Sequence, residues 1–497
     1  MRLRRLVGLG LGVASLCLLA LPAHAAEPRP GLVACRLQGV EHDVWCGSVR
    51  RALDPAKPTG RQIDVHFALL PALARNRKPD AVFFFAGGPG QSAIDLAGQI
   101  GRSLARLSNR RDIVLIDQRG SGRSAALRCA EQSPLQPLSE SIDAARAVQR
   151  LQACRAEIEK LPHGDLRHYT TWVAAQDADA VRRALGVDQI DLVGASYGTR
   201  AALEVLRQFP QIVRRVVLDG AAPPDMVLPV ASAIDNQAAL DAVFSACEVA
   251  AACSTLHPAL RAQWQALLTA LPRVASVAHP VSGRVERITL TREAVLSLVR
   301  VPLYVPALAA ALPQVISDAA NGRFEPLLGL AAALSGSQVG QIAEGMHFAV
   351  VCSEDMPRLA RPAEGAALAG RVANDFGDSF AEQYEAVCAG WTRGAVPPAF
   401  YGMPVATAPV LVLSGGADPA TPPRHGEHVV RALGAKSRHV VVPEAGHGVM
   451  GIACMRDVVF RFIDAASDDA ALKVDADCAQ KLPRPLSFVP LASASGR

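Results

Sequence analysis

The run Ile190 to Val193 leads directly into Gly194-Ala195-Ser196-Tyr197-Gly198, and a helix-forming stretch, Thr199-Arg200-Ala201-Ala202-Leu203, follows at once. A strand that turns immediately into a helix around G-x-S-x-G admits few architectures. The turn is too sharp for side chains at its glycines, where a Cβ would meet the neighbouring helix or strand. It lifts the serine hydroxyl above the C-terminal edge of a sheet, and the helix N-terminus beneath favours developing negative charge. Other β-branched or aromatic runs supply the rest of such a sheet: Val82 to Phe85, Ile113 to Ile116, Val213 to Leu218, Val410 to Leu413 and His439 to Val442. Helical patterns lie between them, as at Trp172 to Leu185 and Arg200 to Gln208. This alternation predicts an α/β chain with a mostly parallel central sheet and helices on both faces. Val44 to Val49 and Asp64 to Leu70 read as antiparallel strands at its start.

The alternation stops after Leu218. From 225 to 401 the pattern is mainly helical, with candidates at Ala233 to Cys247, Pro258 to Leu271, Arg292 to Val299 (N-capped by Thr291), Pro306 to Asn321 and Ile342 to Val351. Strand character resumes at Val410, which two independent domains would not explain. The expected organisation is a core segment over 26–224, a helical cap inserted over 225–401, and the rest of the core over 402–497. A Pro- and Ser-rich tail after Leu482 is expected to pack poorly.

Arg2, Arg4 and Arg5 precede an apolar run from Leu6 to Leu21, and Ala23-His24-Ala25 follows as an A-x-A cleavage pattern. Residues 1–25 therefore read as a signal peptide, with a membrane anchor as the alternative. The expected location is periplasmic or secreted. Setting aside Cys17, ten of the eleven cysteines remain. An oxidising compartment would pair them, most simply with their sequence neighbours; buried thiols are the alternative. Their spacings fit no zinc site, and no metal or other cofactor is expected. The net charge of +5 is spread out and forms no basic run, which argues against a nucleic-acid partner. The sequence leaves the oligomeric state open.

A serine nucleophile needs a base, and the base needs an acid to orient it. On a strand–turn–helix nucleophile the chain order is serine, acid, histidine. Asp418 follows the Val410 run in Ser-Gly-Gly-Ala-Asp-Pro, and His447 follows the His439 run between Gly446 and Gly448. Both would project over the sheet edge that carries Ser196. Asp219, at the end of the Val213 run, and Glu444 are competing acids. His425 and His428 fall on a helix, and His257, His279 and His347 fall in the insertion without a matching strand.

Acyl transfer also requires N–H donors aimed at the developing oxyanion. Tyr197, the residue after the nucleophile, supplies one. The loop Ala86-Gly87-Gly88-Pro89-Gly90 supplies the other, with Gly88 preferred and Gly87 second.

Taken together, AGGPG at 86–90, DQRGSGRS at 117–124, GASYGTR at 194–200, ADPATPP at 417–423 and AGHG at 445–448 resemble the α/β-hydrolase exopeptidases that include proline iminopeptidases and tripeptidyl aminopeptidases. VVLDGAAPPD at 216–225 and the late Cys454 and Cys478 are most similar to the secreted tripeptidyl-aminopeptidase-like branch. The resemblance implies the α/β-hydrolase fold, a helical cap after the sixth core strand, and metal-free hydrolysis of peptides bearing a free N-terminus. It places Ser196, Asp418 and His447 in the catalytic positions, with Gly88 and Tyr197 at the oxyanion, and gives Asp117 and Arg119 a bracing role. Ala86 stands where proline iminopeptidases carry His, which leaves a proline preference unsupported. An aminopeptidase must hold an α-ammonium group; Glu354 and Asp355 are the candidate carboxylates, with a solvated acidic turn as the alternative. An exported carboxylesterase using the same three residues is the rival function.

Overall fold

The computed structural model describes residues 31–335, 341–359 and 374–489; the expected signal peptide lies outside them. Among the described residues eleven strands form: β1 (Val33–Cys35), β2 (Val44–Ala52), β3 (Gln62–Leu70), β4 (Ala81–Phe85), β5 (Ile113–Ile116), β6 (Ile190–Ala195), β7 (Val213–Asp219), β8 (Arg273–Ala278), β9 (Val285–Leu290), β10 (Val410–Gly415) and β11 (Ser437–Val442). Nine make one sheet in the order β1-β2-β3-β5-β4-β6-β7-β10-β11. β1, β2 and β3 join antiparallel, and the six strands from β5 to β11 run parallel.

The apolar runs are continuous because both sheet faces are covered. Phe83 and Phe85 of β4 face one core layer with Leu192, Val216 and Val410; the helices Thr171–Ala184 and Tyr197–Gln208 pack there through Ala178, Val181, Leu203 and Leu206. Val82 and Phe84 face the other with Val193, Leu411 and Val440, against Val458 and Phe462 of the Met455–Asp464 helix. Each such fully buried side chain stabilises the fold by about 1.5–3 kcal/mol relative to exposure.

Between β7 and β10 the chain builds a body with its own core, centred on Phe244, Trp264, Val295, Leu312 and Phe324. Its helices include Leu228–Val249, Leu260–Thr269 and Arg292–Leu303, the last capped by Thr291 through Ala294 N–H. Two features depart from expectation. The β8–β9 hairpin interrupts the helices, because the alternation of exposed and buried residues along Val285–Leu290 suits a strand with one face on the cap core. The cap also draws on a second segment. Leu138–Ser141 and Ala144–Ile158, which follow β5, dock on it through Leu138 N–H to Glu286, Gln152 to the Ala386 carbonyl, and a bidentate Arg150–Glu344 pair at 2.5 and 2.6 Å. Residues 138–158 thus contact the insertion although they precede it in the chain. Residues 483–489 carry no regular structure; Leu486 and Phe488 are exposed, while Arg484 reaches Glu444 and the Ala242 carbonyl.

Disulfides join Cys35–Cys46, Cys129–Cys154, Cys247–Cys253, Cys352–Cys388 and Cys454–Cys478. Among the described residues no helix is long and apolar enough to cross a membrane.

Candidate active site

Ser196 lies at the tip of the β6 turn with φ 56° and ψ −126°, a left-handed conformation that a non-glycine residue adopts only when its surroundings enforce it. The enforcing contacts are visible. A Cβ on Gly194 would lie 2.4 Å from the Gly198 carbonyl oxygen, and one on Gly198 would lie 2.0 Å from that of Phe85. The Ser196 N–H donates to the Asp219 carbonyl at 2.8 Å, tying the turn to the end of β7.

Asp418 and His447 come from the loops after β10 and β11. His447 Nδ1 stands 2.9 Å from Asp418 Oδ2 and 3.0 Å from Oδ1. Both aspartate oxygens have further donors: Ala420 and Thr421 N–H on Oδ1, and Thr421 Oγ1 on Oδ2 at 2.9 Å. Burial alone would raise the Asp418 pKa, but the charge and hydrogen bond of His447 outweigh it and hold the carboxyl below its ordinary value. Burial would likewise lower the His447 pKa; Asp418 reverses this and holds the imidazole above its ordinary value. Gly220, next to Asp219, leaves room for this pair: a Cβ there would come 3.4 Å from His447 Cε1 and 3.7 Å from Asp418 Oδ2. Ser196 and the Asp418–His447 pair thus both adjoin the Asp219-Gly220 turn.

The competing acids are otherwise engaged. Asp219 accepts from Val449 N–H (2.8 Å) and Met450 N–H (3.0 Å), so it anchors the chain just past His447. Glu444 pairs with Arg484 at the surface. Thr421 is a site residue that the sequence reading misses; its position three residues after Asp418, the reach of an Asx-type turn, is the available signal.

Gly87 lies against the nucleophile, since a Cβ on it would sit 3.0 Å from Ser196 Cβ. Asp117 holds the same loop region by accepting from Ser92 Oγ, Ile94 N–H and Arg123 N–H, and Gly122 leaves it space. Arg119 is fully buried, bidentate to Asp177 and bonded to the Leu53 and His168 carbonyls. Both residues brace the structure, in keeping with the expectation for them.

Glu354 and Asp355 require a correction. Glu354 has no exposed surface. Its Oε1 accepts from Thr171 N–H (2.6 Å), and its Oε2 accepts from Thr171 Oγ1 (2.9 Å) beside Arg200. Asp355 is buried against Arg200 at 2.7 Å and also accepts from Leu228 N–H. Carboxylates committed in this way are closed to an α-ammonium group. Burial pushes the Glu354 pKa up to about 7 despite Arg200.

A cavity of about 1300 Å³ opens between cap and core beside Gly90, with Asp95, Asn236, Glu293, Arg300 and Phe380 in its walls.

Residues 80–271 match the family model described as alpha/beta hydrolase fold, and 373–478 match that of TAP-like protein. The chain is 31% identical over 225 residues to the serine protease Hip1 of Mycobacterium tuberculosis (41% of this chain, 42% of that protein). It is 30% identical over 197 residues to the tripeptidyl aminopeptidase of Streptomyces lividans (36% of each). It is 28% identical over 431 residues to carboxylesterase B of Mycobacterium tuberculosis (78% of each). The first two matches span less than half of those relatives' own length. The chain thus carries an alpha/beta hydrolase fold region followed by a TAP-like region, which makes it a relative of these α/β-hydrolases.

Proposed function

We propose that the chain is an exported serine aminopeptidase that cuts peptides near a free N-terminus through Ser196, His447 and Asp418. The observation that carries this reading is the 2.9 Å Asp418–His447 contact beside the strained Ser196 turn. His447 Nε2 takes the Ser196 proton as Oγ attacks the scissile carbonyl. The N–H groups of Tyr197 and Gly88, or Gly87, receive the oxyanion. The C–N bond then breaks, His447 protonates the departing amine, and an acyl-serine remains. Water, deprotonated by the same imidazole, releases the acid and restores the hydroxyl. Asp418 keeps the Nδ1–H tautomer and stabilises the imidazolium.

The cavity beside Gly90 has room for a peptide, since about 300–1,000 Å³ already suffices for a drug-sized molecule, but Ser196, Asp418 and His447 are not among its lining residues. The five disulfides and the N-terminal Arg-apolar-Ala pattern support export to the periplasm or beyond. The second reading, an exported carboxylesterase, is favoured by the likeness to carboxylesterase B over 78% of both chains.

Peptide anilides with free and N-acetylated termini separate the two. Turnover of the free-amine series alone supports the aminopeptidase, whereas equal turnover of both sinks it. Mono-, di- and tripeptidyl substrates then report how many residues leave per cut.

A further inference from the structure

One cap helix, Glu344–Glu354, touches both sides of the expected oxyanion site. At its start, the Ala343 N–H donates to the Gly90 carbonyl at 3.0 Å, and Gln91 bridges to Ile342. One turn on, His347 Nδ1 lies 3.3 Å from the Pro89 carbonyl and Nε2 lies 2.7 Å from Tyr384 Oη. A carbonyl can only accept, so Nδ1 carries the proton and Tyr384 donates to Nε2.

At the far end, Glu354 Oε2 accepts a hydrogen bond from the Thr171 hydroxyl at 2.9 Å. Thr171 Oγ1 must then accept from Tyr197 Oη, 2.7 Å away. With Glu354 ionised, the donors run in the order Tyr197 to Thr171 to Glu354. Arg200, on the same helix as Tyr197, closes the arrangement on Asp355 and the Met226 carbonyl. The helix is roughly 16 Å long at 1.5 Å per residue, and Cys352–Cys388 and Tyr401 Oη on the Glu354 carbonyl hold it in place.

We propose that Glu344–Glu354 is a strut that sets the two oxyanion donors against each other: His347 positions the Gly87–Gly90 loop, and Glu354 positions Tyr197 through Thr171. The inference rests on the serine-hydrolase reading above, and it makes the cap part of the machinery that stabilises the transition state. These side chains act through the two donors and are positioning residues. Oxyanion donors act only when held within a few tenths of an ångström of the developing charge.

The test is the second-order rate of Ser196 labelling by a fluorophosphonate, which needs the oxyanion site but no particular substrate. Rates are taken per titrated active site, so a loss of folded protein does not count. Tyr197→Phe keeps the main-chain N–H and cuts only the tie, Thr171→Val removes the bridging hydroxyl, and Thr171→Ser restores it. Loss of one donor costs about 10²–10³-fold, so Tyr197→Phe and Thr171→Val, which only misplace it, should slow labelling about tenfold. Thr171→Ser should stay within about twofold of the parent, and KM for any substrate turned over should be unchanged. Rates per site equal to the parent's in both Tyr197→Phe and Thr171→Val would overturn the strut. An unlabelled parent, or labelling that survives Ser196→Ala, would instead overturn the serine-hydrolase reading and the strut with it.

Discussion

Tyr304 stands edge-on to His447, with ring centroids 5.4 Å apart, and its main-chain carbonyl accepts the main-chain N–H of His447 at 3.2 Å. Tyr304 belongs to the cap, so the proposed base is gripped from above as well as oriented by Asp418 from below. Tyr304→Phe keeps the ring and should leave kcat within about twofold. Tyr304→Ala frees the imidazole and should lower kcat about tenfold, because a base must sit in a near-attack position. Steady-state kinetics of the two variants checks this.

The elevated His447 pKa sets the pH dependence. The imidazole must be neutral to accept the Ser196 proton, so kcat/KM should rise with pH through a midpoint above its ordinary 6.5. Asp418→Asn removes the charge that raises it and should lower kcat by about 10⁴, as expected when the orienting carboxylate is lost. A pH–rate profile with its acid limb below 6.5 would contradict the assignment.

Asp219 and Asp418 are both buried aspartates near His447 and should behave in opposite ways. Asp219→Asn keeps one acceptor for the Val449 and Met450 N–H groups. It should lower Tm, at a cost of about 1–3 kcal/mol for a buried group left poorly paired, while most of kcat survives. Calorimetry and kinetics on Asp219→Asn and Asp418→Asn together distinguish anchor from acid.

Glu354 makes a separate prediction for stability. Its pKa is pushed up from 4.5 to about 7, so between those values the folded state binds more protons than the unfolded one. The contribution is therefore fully present below 4.5 and is lost as pH rises through about 7. Glu354→Gln should flatten this part of the Tm–pH curve; an unaltered slope would mean that the carboxyl titrates normally.

The parallel strands were legible because burial on both faces makes them continuous apolar runs. Asp418 and His447 were legible because each follows such a run by a few residues. Glu354 was not: an acid two residues after Cys352 looks the same in sequence whether it faces a cleft or a buried arginine, and only the packing of Thr171 and Arg200 decides. The β8–β9 hairpin escaped notice because its pattern is short and flanked by helices, where the two periods are hard to tell apart. Tyr304, His347 and Thr171 lie 143, 258 and 26 residues from His447, Pro89 and Tyr197, separations that no local pattern records.

The pairing of the ten cysteines bears on how the molecule is made. Every bond joins a cysteine to the next one along the chain, across separations of 6 to 36 residues. A chain emerging N-terminus first therefore presents each thiol's partner before any competitor from the following pair, and each closed loop stays short enough to form at low entropic cost. Oxidation in order of appearance gives the native set, with no step at which a wrong pair must be undone.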